Sequence, residues 1–199
     1  MNRVFFVAIS LIIISLAGCA SNIIVQFPPH LPTSNGSQLA TIPPRNIQLN
    51  AVEDIRTLNL ADGSREAAFG VSMGYVEFKP TASEIVQDIF IAELTNAGHK
   101  IVNQEQQVII NAQILQFKVG TIATPIYWDI IGNTQVDVEV LSLIGAKIKK
   151  SYTSTCQERT YIWPGEAIIN IAMKSCIDDF ANKFRNDEEL ALAIKNIAE

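Results

Sequence analysis

Residues 134–144 read Thr-Gln-Val-Asp-Val-Glu-Val-Leu-Ser-Leu-Ile. Val136, Val138 and Val140 alternate with Gln135, Asp137 and Glu139. Alternation with period two marks a strand with one face buried and the other in water. Antiparallel sheets commonly expose a face in this way, whereas parallel sheets are covered on both. Gly145 then reads as a hairpin turn and 147–163 as the return strand, with Ile148, Tyr152, Cys156 and Ile162 on one face. Upstream, 107–119 is rich in β-branched and aromatic residues (Val108, Ile109, Ile110, Ile114, Phe117, Val119) and reads as a third long strand.

Helical stripes flank these strands. Ile85, Val86, Ile89, Phe90, Leu94 and Ala97 recur at three- and four-residue steps. Thr81 and Glu84 have the spacing of a capping box, and Gly98 stops the helix. Ile169, Met173, Cys176, Ile177, Phe180 and Phe184 mark a second helix over 166–184. A last short helix over 187–197 is expected to expose Leu190, Ala193, Ile194 and Ile197. Shorter strands are expected at 47–55, 75–79 and 99–102, and the glycine-bearing 57–74 reads as a loop. The fold class is therefore α/β of the α+β kind: a mostly antiparallel sheet with two amphipathic helices packed on one face.

The chain has 199 residues, of which 48% are hydrophobic and 18% charged, with a formal net charge of −5. That balance excludes a polybasic nucleic-acid binder and a wholly disordered chain. The apolar share is uneven. Met1-Asn2-Arg3 gives a basic start, Val4–Leu16 an apolar run, and small residues follow, which is the layout of a secretory signal. A run of about 14 residues spans roughly 21 Å as a helix, too short for a ~30 Å hydrocarbon core. Leu16-Ala17-Gly18-Cys19 resembles the bacterial lipobox. That resemblance implies cleavage between Gly18 and Cys19, a diglyceride on the Cys19 sulfur and a further acyl chain, such as palmitate, on its amine. Ala20, where an Asp would favour the inner membrane, implies an outer-membrane address with the domain in the periplasm. Five of the eight prolines (Pro28, Pro29, Pro32, Pro43, Pro44) then fall within 19–46. This segment reads as a Pro-rich, lipid-anchored tether, with Ile23-Ile24-Val25 as an apolar patch able to dock on the domain or a partner. The expected organisation is thus signal peptide 1–18, tether 19–46, a single α/β periplasmic domain 47–186, and a short C-terminal helix 187–199.

Chemistry-bearing residues are sparse. His30 lies in the tether, and His99 follows the Gly98 stop and is expected to face solvent. No P-loop, dinucleotide fingerprint or His-Glu-x-x-His motif occurs. Asp178-Asp179 and Asp187-Glu188-Glu189 suit helix surfaces and a helix N-terminus better than a metal site. No enzyme activity, metal or cofactor is expected. Cys156 and Cys176 lie on the apolar faces of their strand and helix. They read either as a disulfide of an oxidising compartment or as two buried thiols. Tyr127-Trp128 and Tyr161-Ile162-Trp163 fall at strand ends. They read either as closure of the core or as a platform for a partner, peptide or glycan.

Taken together, the lipobox, the Pro-rich segment, a strand closing in Asp54-Ile55-Arg56, a glycine-bearing loop, and a helix ending in a signature of Leu94, Gly98 and Ile101-Val102 carry a resemblance. The chain resembles the YajG-type outer-membrane lipoproteins of Gram-negative bacteria over roughly residues 16–186. The resemblance implies a small periplasmic α/β domain on a lipid anchor, without assigned catalytic residues, in which Asp54 and Arg56 form a structural ion pair. The expected role is that of a non-catalytic accessory or scaffold component of an envelope assembly for secretion or transport. Its expected partners are the membrane, through the anchor, and other envelope proteins, with no nucleic acid. A small-molecule or glycan-binding lipoprotein is the alternative.

Overall fold

The computed structural model describes residues 21–32, 36–57, 62–142 and 147–197; Gly18, Cys19 and the Gly145 turn lie outside them. The elements run β1 (Ile23–Gln26), β2 (Asn46–Leu49), β3 (Glu53–Asp54), β4 (Gly63–Glu66), β5 (Ser72–Lys79), α1 (Ala82–Asn96), β6 (Lys100–Ile101), β7 (Val108–Ala123), β8 (Trp128–Ser142), β9 (Lys147–Thr160), α2 (Glu166–Arg185) and α3 (Glu188–Ile197). Short 3₁₀ turns occupy Gln38–Thr41 and Ala68–Gly70. The fold is α+β with one large open sheet, as the alternation in 134–144 indicates. The sheet is mixed. Its long pairings, β7 with β8 and β8 with β9, are antiparallel, as is β4 with β5. The short pairings of β1 with β5, of β2 with β6, and of β2, β3 and β4 with β7 are parallel.

β8 sets the two faces. Ile130, Val136, Val138 and Val140 are buried under the helices, while Asp129, Gln135, Asp137 and Glu139 lie half-exposed on the other side. The outer face is laced with ion pairs between neighbouring strands: Lys147 with Glu139 at 2.6 Å and Lys149 with Asp137 at 2.9 Å. Gly132 interrupts the inner row of β8. A Cβ there would meet the Met173 sulfur at 3.0 Å and the Cys176 sulfur at 3.2 Å, so only glycine lets α2 seat this close. The core beneath the helices is aromatic. Phe90 of α1 meets Phe184 of α2 edge-on at 4.7 Å, and Tyr152 of β9 packs against Phe180 and Phe184 at 6.0 Å each.

α1 forms as its sequence dictates. The Thr81 hydroxyl accepts from the Glu84 N–H, and the Glu84 carboxylate accepts from the Thr81 N–H at 2.8 Å. Gly98, at φ 92°, turns the chain out.

Five expectations need correction. Residues 23–32 and 36–42 are not a free tether. β1 joins the sheet, and Val25, Phe27, Leu39 and Ile42 are buried in the core. The prolines space these apolar residues; they do not prevent them from docking. His30 is fixed to the buried Glu93 of α1 at 2.8 Å. His99 is buried rather than solvent-facing. Its Nδ1 accepts from the Arg45 N–H at 3.1 Å, and its Nε2 donates to the Leu39 carbonyl at 3.1 Å. The C-terminal helix α3 buries Leu190, Ala191 and Ile194 and leaves Leu192 outward. Asp187 caps it by accepting from the Leu190 N–H at 2.9 Å. Lastly, the 57–74 loop holds β4, whose pairing with β5 and β7 is long-range and leaves no period in sequence. The return strand ends at Thr160, so Ile162 lies beyond it and is exposed.

Two measurements follow from this packing. Leu39→Ala should cost about 3 kcal/mol in equilibrium unfolding, the ordinary penalty for emptying a core leucine site. A loss under about 0.5 kcal/mol, the size of a surface substitution, would return 23–42 to the status of a tether. Burial pushes the His99 imidazole below its ordinary value; the Leu39 carbonyl offsets part of this, and the Arg45 charge adds to it. The unfolded chain therefore binds a proton that the folded chain resists, and stability falls as pH drops below about 6.5. His99→Gln should be less stable than wild type at pH 7.5 but lose less between pH 7 and 5.5. Parallel losses would rule the effect out, since the His30–Glu93 pair is common to both proteins.

Candidate functional site

Asp54 and Arg56 meet at the end of β3. Arg56 donates through Nε to Asp54 Oδ1 at 2.8 Å and through Nη2 to Oδ2 at 2.6 Å. Its Nη1 reaches Asp62 at 2.9 Å and the Phe117 carbonyl at 2.5 Å. Asp62 in turn accepts from the Phe78 N–H at 2.6 Å. The cluster ties β3 and the start of β4 to β7 and β5. The Arg56 hydrogen bonds hold the Asp54 carboxyl below the usual carboxylate range against its partial burial. Burial opposes the Arg56 charge, but its bonds to Asp54 and Asp62 outweigh that and raise its pKa. All three guanidinium nitrogens of Arg56 donate to the protein, so the geometry is that of a brace. Asp62 was not legible beside Asp54-Ile55-Arg56, because the contact depends on how the intervening chain returns to the sheet.

Cys176 and Cys156 come together over Gly132. Both are free thiols in this structure. Cys176 is fully buried and donates to the Gly132 carbonyl at 3.4 Å, and Gly132 is the register partner of Cys156. Burial and the neighbouring Cys156 push the Cys176 thiol far above its ordinary value, which makes it a poor nucleophile.

Four of the carboxylates in the two acidic clusters are paired. Asp178 pairs with Lys174 and Asp179 with Lys183, both at 2.6 Å. Asp187 accepts from the Tyr152 hydroxyl at 2.9 Å, and Lys150 reaches both Asp187 and Glu189. Among the described residues no three His, Cys, Asp or Glu side chains are grouped to hold a metal ion, and no helix is long and apolar enough to cross a membrane. A groove of about 270 Å³ lies on the polar sheet face beside Asn111, Asp137 and Lys149. Another, of about 140 Å³, lies between α1, α2 and Pro28–Leu31.

The aromatic residues divide. Trp128 packs against the core and meets Trp163 edge-on at 6.0 Å, whereas Tyr161 and Ile162 remain outside. At this same end the chain enters the domain. Arg65, itself buried, donates to the Ser21 carbonyl and to the Met73 carbonyl, the latter at 2.9 Å, and lies over the Trp163 ring at 5.8 Å. A Cβ on Gly74 would run into the Ser21 carbonyl. Arg65 and Gly74 thus form a seat for residue 21, one that pattern reading missed because both lie in the stretch taken for a loop.

No family model matches the chain, and no curated protein does. Solved structures do. A Xanthomonas campestris protein of the DUF330 family superposes with a TM-score of 0.60 at 9% identity, covering 88% of this chain and 95% of that one. The likeness is one of fold. A minor lipoprotein from Acinetobacter baumannii (TM-score 0.37, 12% identity, 62% of this chain and 91% of that one) and a lipoprotein from Neisseria meningitidis (0.27, 10%, 70% and 99%) match more loosely.

The free-thiol geometry predicts that alkylation of the native protein leaves Cys176 unmodified. Denaturation of the unalkylated protein without reductant should expose both thiols, Cys156 and Cys176. Finding neither would mean that the pair is bridged.

Proposed function

We propose that the protein is a non-catalytic lipoprotein, acylated on Cys19 and held at the outer membrane with its domain in the periplasm. There it serves as an accessory or scaffold component of an envelope assembly of the secretion or transport kind. The observation that carries this reading is the seat for Ser21. The lipobox-like Leu16–Cys19 ends two residues before a backbone position clamped by Arg65 and Gly74. A domain built to grip the chain at that point is suited to being hung from it. The paired state of Asp54, Asp62, Asp178, Asp179 and Asp187, the braced Arg56 and the inert Cys176 support a non-catalytic role. For protein partners it offers the flat polar face of β7–β9, with half-exposed Asp137, Glu139 and exposed Lys149.

The mature protein from membranes should begin at Cys19 and carry the added mass of the acyl chains, and Cys19→Ser should lose that mass and leave the membrane fraction. An unmodified Cys19, or a Cys19→Ser protein that stays in the membrane for reasons other than a retained signal peptide, would sink the anchor. Photo-crosslinking from position 151 on the outer face of β9 should give a discrete heteromeric product in cells. A free monomer both there and in mild-detergent extracts would sink the scaffold role.

A further inference from the structure

Among the described residues, one group of exposed apolar side chains is gathered at one end of the sheet, while Leu31, Ile55, Ile91, Ile171 and Leu192 are exposed singly elsewhere. Three segments meet there: the Ala68–Gly70 turn between β4 and β5, the β7–β8 hairpin, and the link from β9 to α2. Register holds them together. Ala123 faces Trp128, Trp128 faces Thr160, and the Glu66 N–H donates to the Thr121 hydroxyl at 2.8 Å. From these segments Phe69, Ile122, Ile126, Tyr161, Ile162 and Trp163 project. Phe69 is fully exposed, Ile126 72% and Ile162 76%. A lone exposed isoleucine is ordinary, but a contiguous apolar surface at one end of a folded domain marks a contact site.

Two independent features point to what covers it. First, Phe69 sits at φ 64°, in the left-handed region that bulky residues avoid, directly before Gly70 at φ 73°. The turn thus spends conformational energy to present a phenyl ring outward, a pattern typical of functional positions. Second, the chain enters the domain at this same end. Ser21 is clamped by Arg65, which lies over Trp163, and Asn22 accepts from the Tyr75 N–H at 3.0 Å. Cys19 is two residues earlier, and two residues of chain reach at most about 7 Å. Acyl chains on Cys19 would bring their membrane to this apolar end and to no other.

We propose that the end formed by 67–71, 122–127 and 161–163 inserts its aromatic and aliphatic side chains into the bilayer interface that carries the Cys19 acyl chains. The inference rests on the reading of Cys19 as acylated. The residue types suit that depth. Tyr and Trp favour the headgroup level, where an apolar ring and a polar edge are both satisfied, and Phe and Ile reach below it. Attraction to anionic lipid contributes little. The chain carries a net charge of −5, and Arg159, which lies over Tyr127 at 3.8 Å, is already paired with Asp129 at 2.7 Å. Insertion is therefore apolar and insensitive to salt, unlike the docking of a basic surface.

The test uses the full acylated protein, with the mass of its N-terminal peptide measured first. It is reconstituted into phosphatidylethanolamine–phosphatidylglycerol vesicles containing lipid brominated on the upper acyl chain, a short-range quencher of tryptophan. In a Trp128→Phe protein the remaining Trp163 should lose at least half of its fluorescence, equally at 0.05 and 0.5 M salt. Adding Phe69→Ser, Ile126→Ser and Ile162→Ser, all at exposed positions, should cut that quenching at least threefold. The circular dichroism spectrum and acyl mass should be unchanged. An acylated, folded protein whose Trp163 is unquenched overturns the membrane-facing end and leaves the anchor standing. If such a protein instead runs as a dimer that the serine substitutions dissolve, a second copy covers this end. Absence of the acyl mass overturns both readings.

Discussion

The structure depends on β7 having both backbone edges filled along its length. One edge pairs with β8 from Val108 to Ala123. The other is shared in succession by three short parallel strands: β2 at Val108–Ile110, β3 at Gln113–Ile114 and β4 at Val119–Gly120. Strands of two to four residues do not persist alone; they form because a long strand already presents unsatisfied N–H and carbonyl groups to them. The N-terminal third of the domain is thus ordered by the middle third. One bulge makes the arrangement workable. The register with β8 shifts between Ile114 and Gln116, so the buried row passes from Val108, Ile110, Ala112 and Ile114 to Phe117, Val119 and Thr121. Leu115, the extra residue of the bulge, is half-exposed, and past it Ile122 falls on the outer face and is exposed.

This hierarchy explains what could be read from the sequence. β8, α1 and α2 carry their own signals, a period of two or a capping box with a 3.6-residue stripe, and they were legible. β4 was not, because its four residues, Gly63-Ser64-Arg65-Glu66, have no apolar period and are a strand only by pairing. The segment before β2 misled for a different reason. Its prolines are real breakers of regular structure, but breaking regular structure does not keep Val25, Phe27, Leu39 and Ile42 out of the core. His99 likewise follows a helix stop, a position that favours exposure, yet Leu39 folds over it. The candidate site was half legible. Asp54 and Arg56 stand two residues apart and their pairing was expected; Asp62, Arg65 and the Ser21 seat are long-range contacts.

The packed N-terminal segment changes what a lipid on Cys19 would do. A coil of 27 residues would let the domain wander tens of ångströms from its membrane. With Ser21 held by Arg65, β1 paired to β5 and His30 fixed to Glu93, no such coil exists among the described residues before position 33. The anchor would then set orientation as well as location. An acidic chain held within a few ångströms of an anionic leaflet is repelled unless the facing end brings little net charge and favourable apolar contact. The end at Phe69, Ile126 and Ile162 meets both conditions, with Arg159 neutralised by Asp129. The polar, ion-paired face of β7–β9 would then be left free along its length.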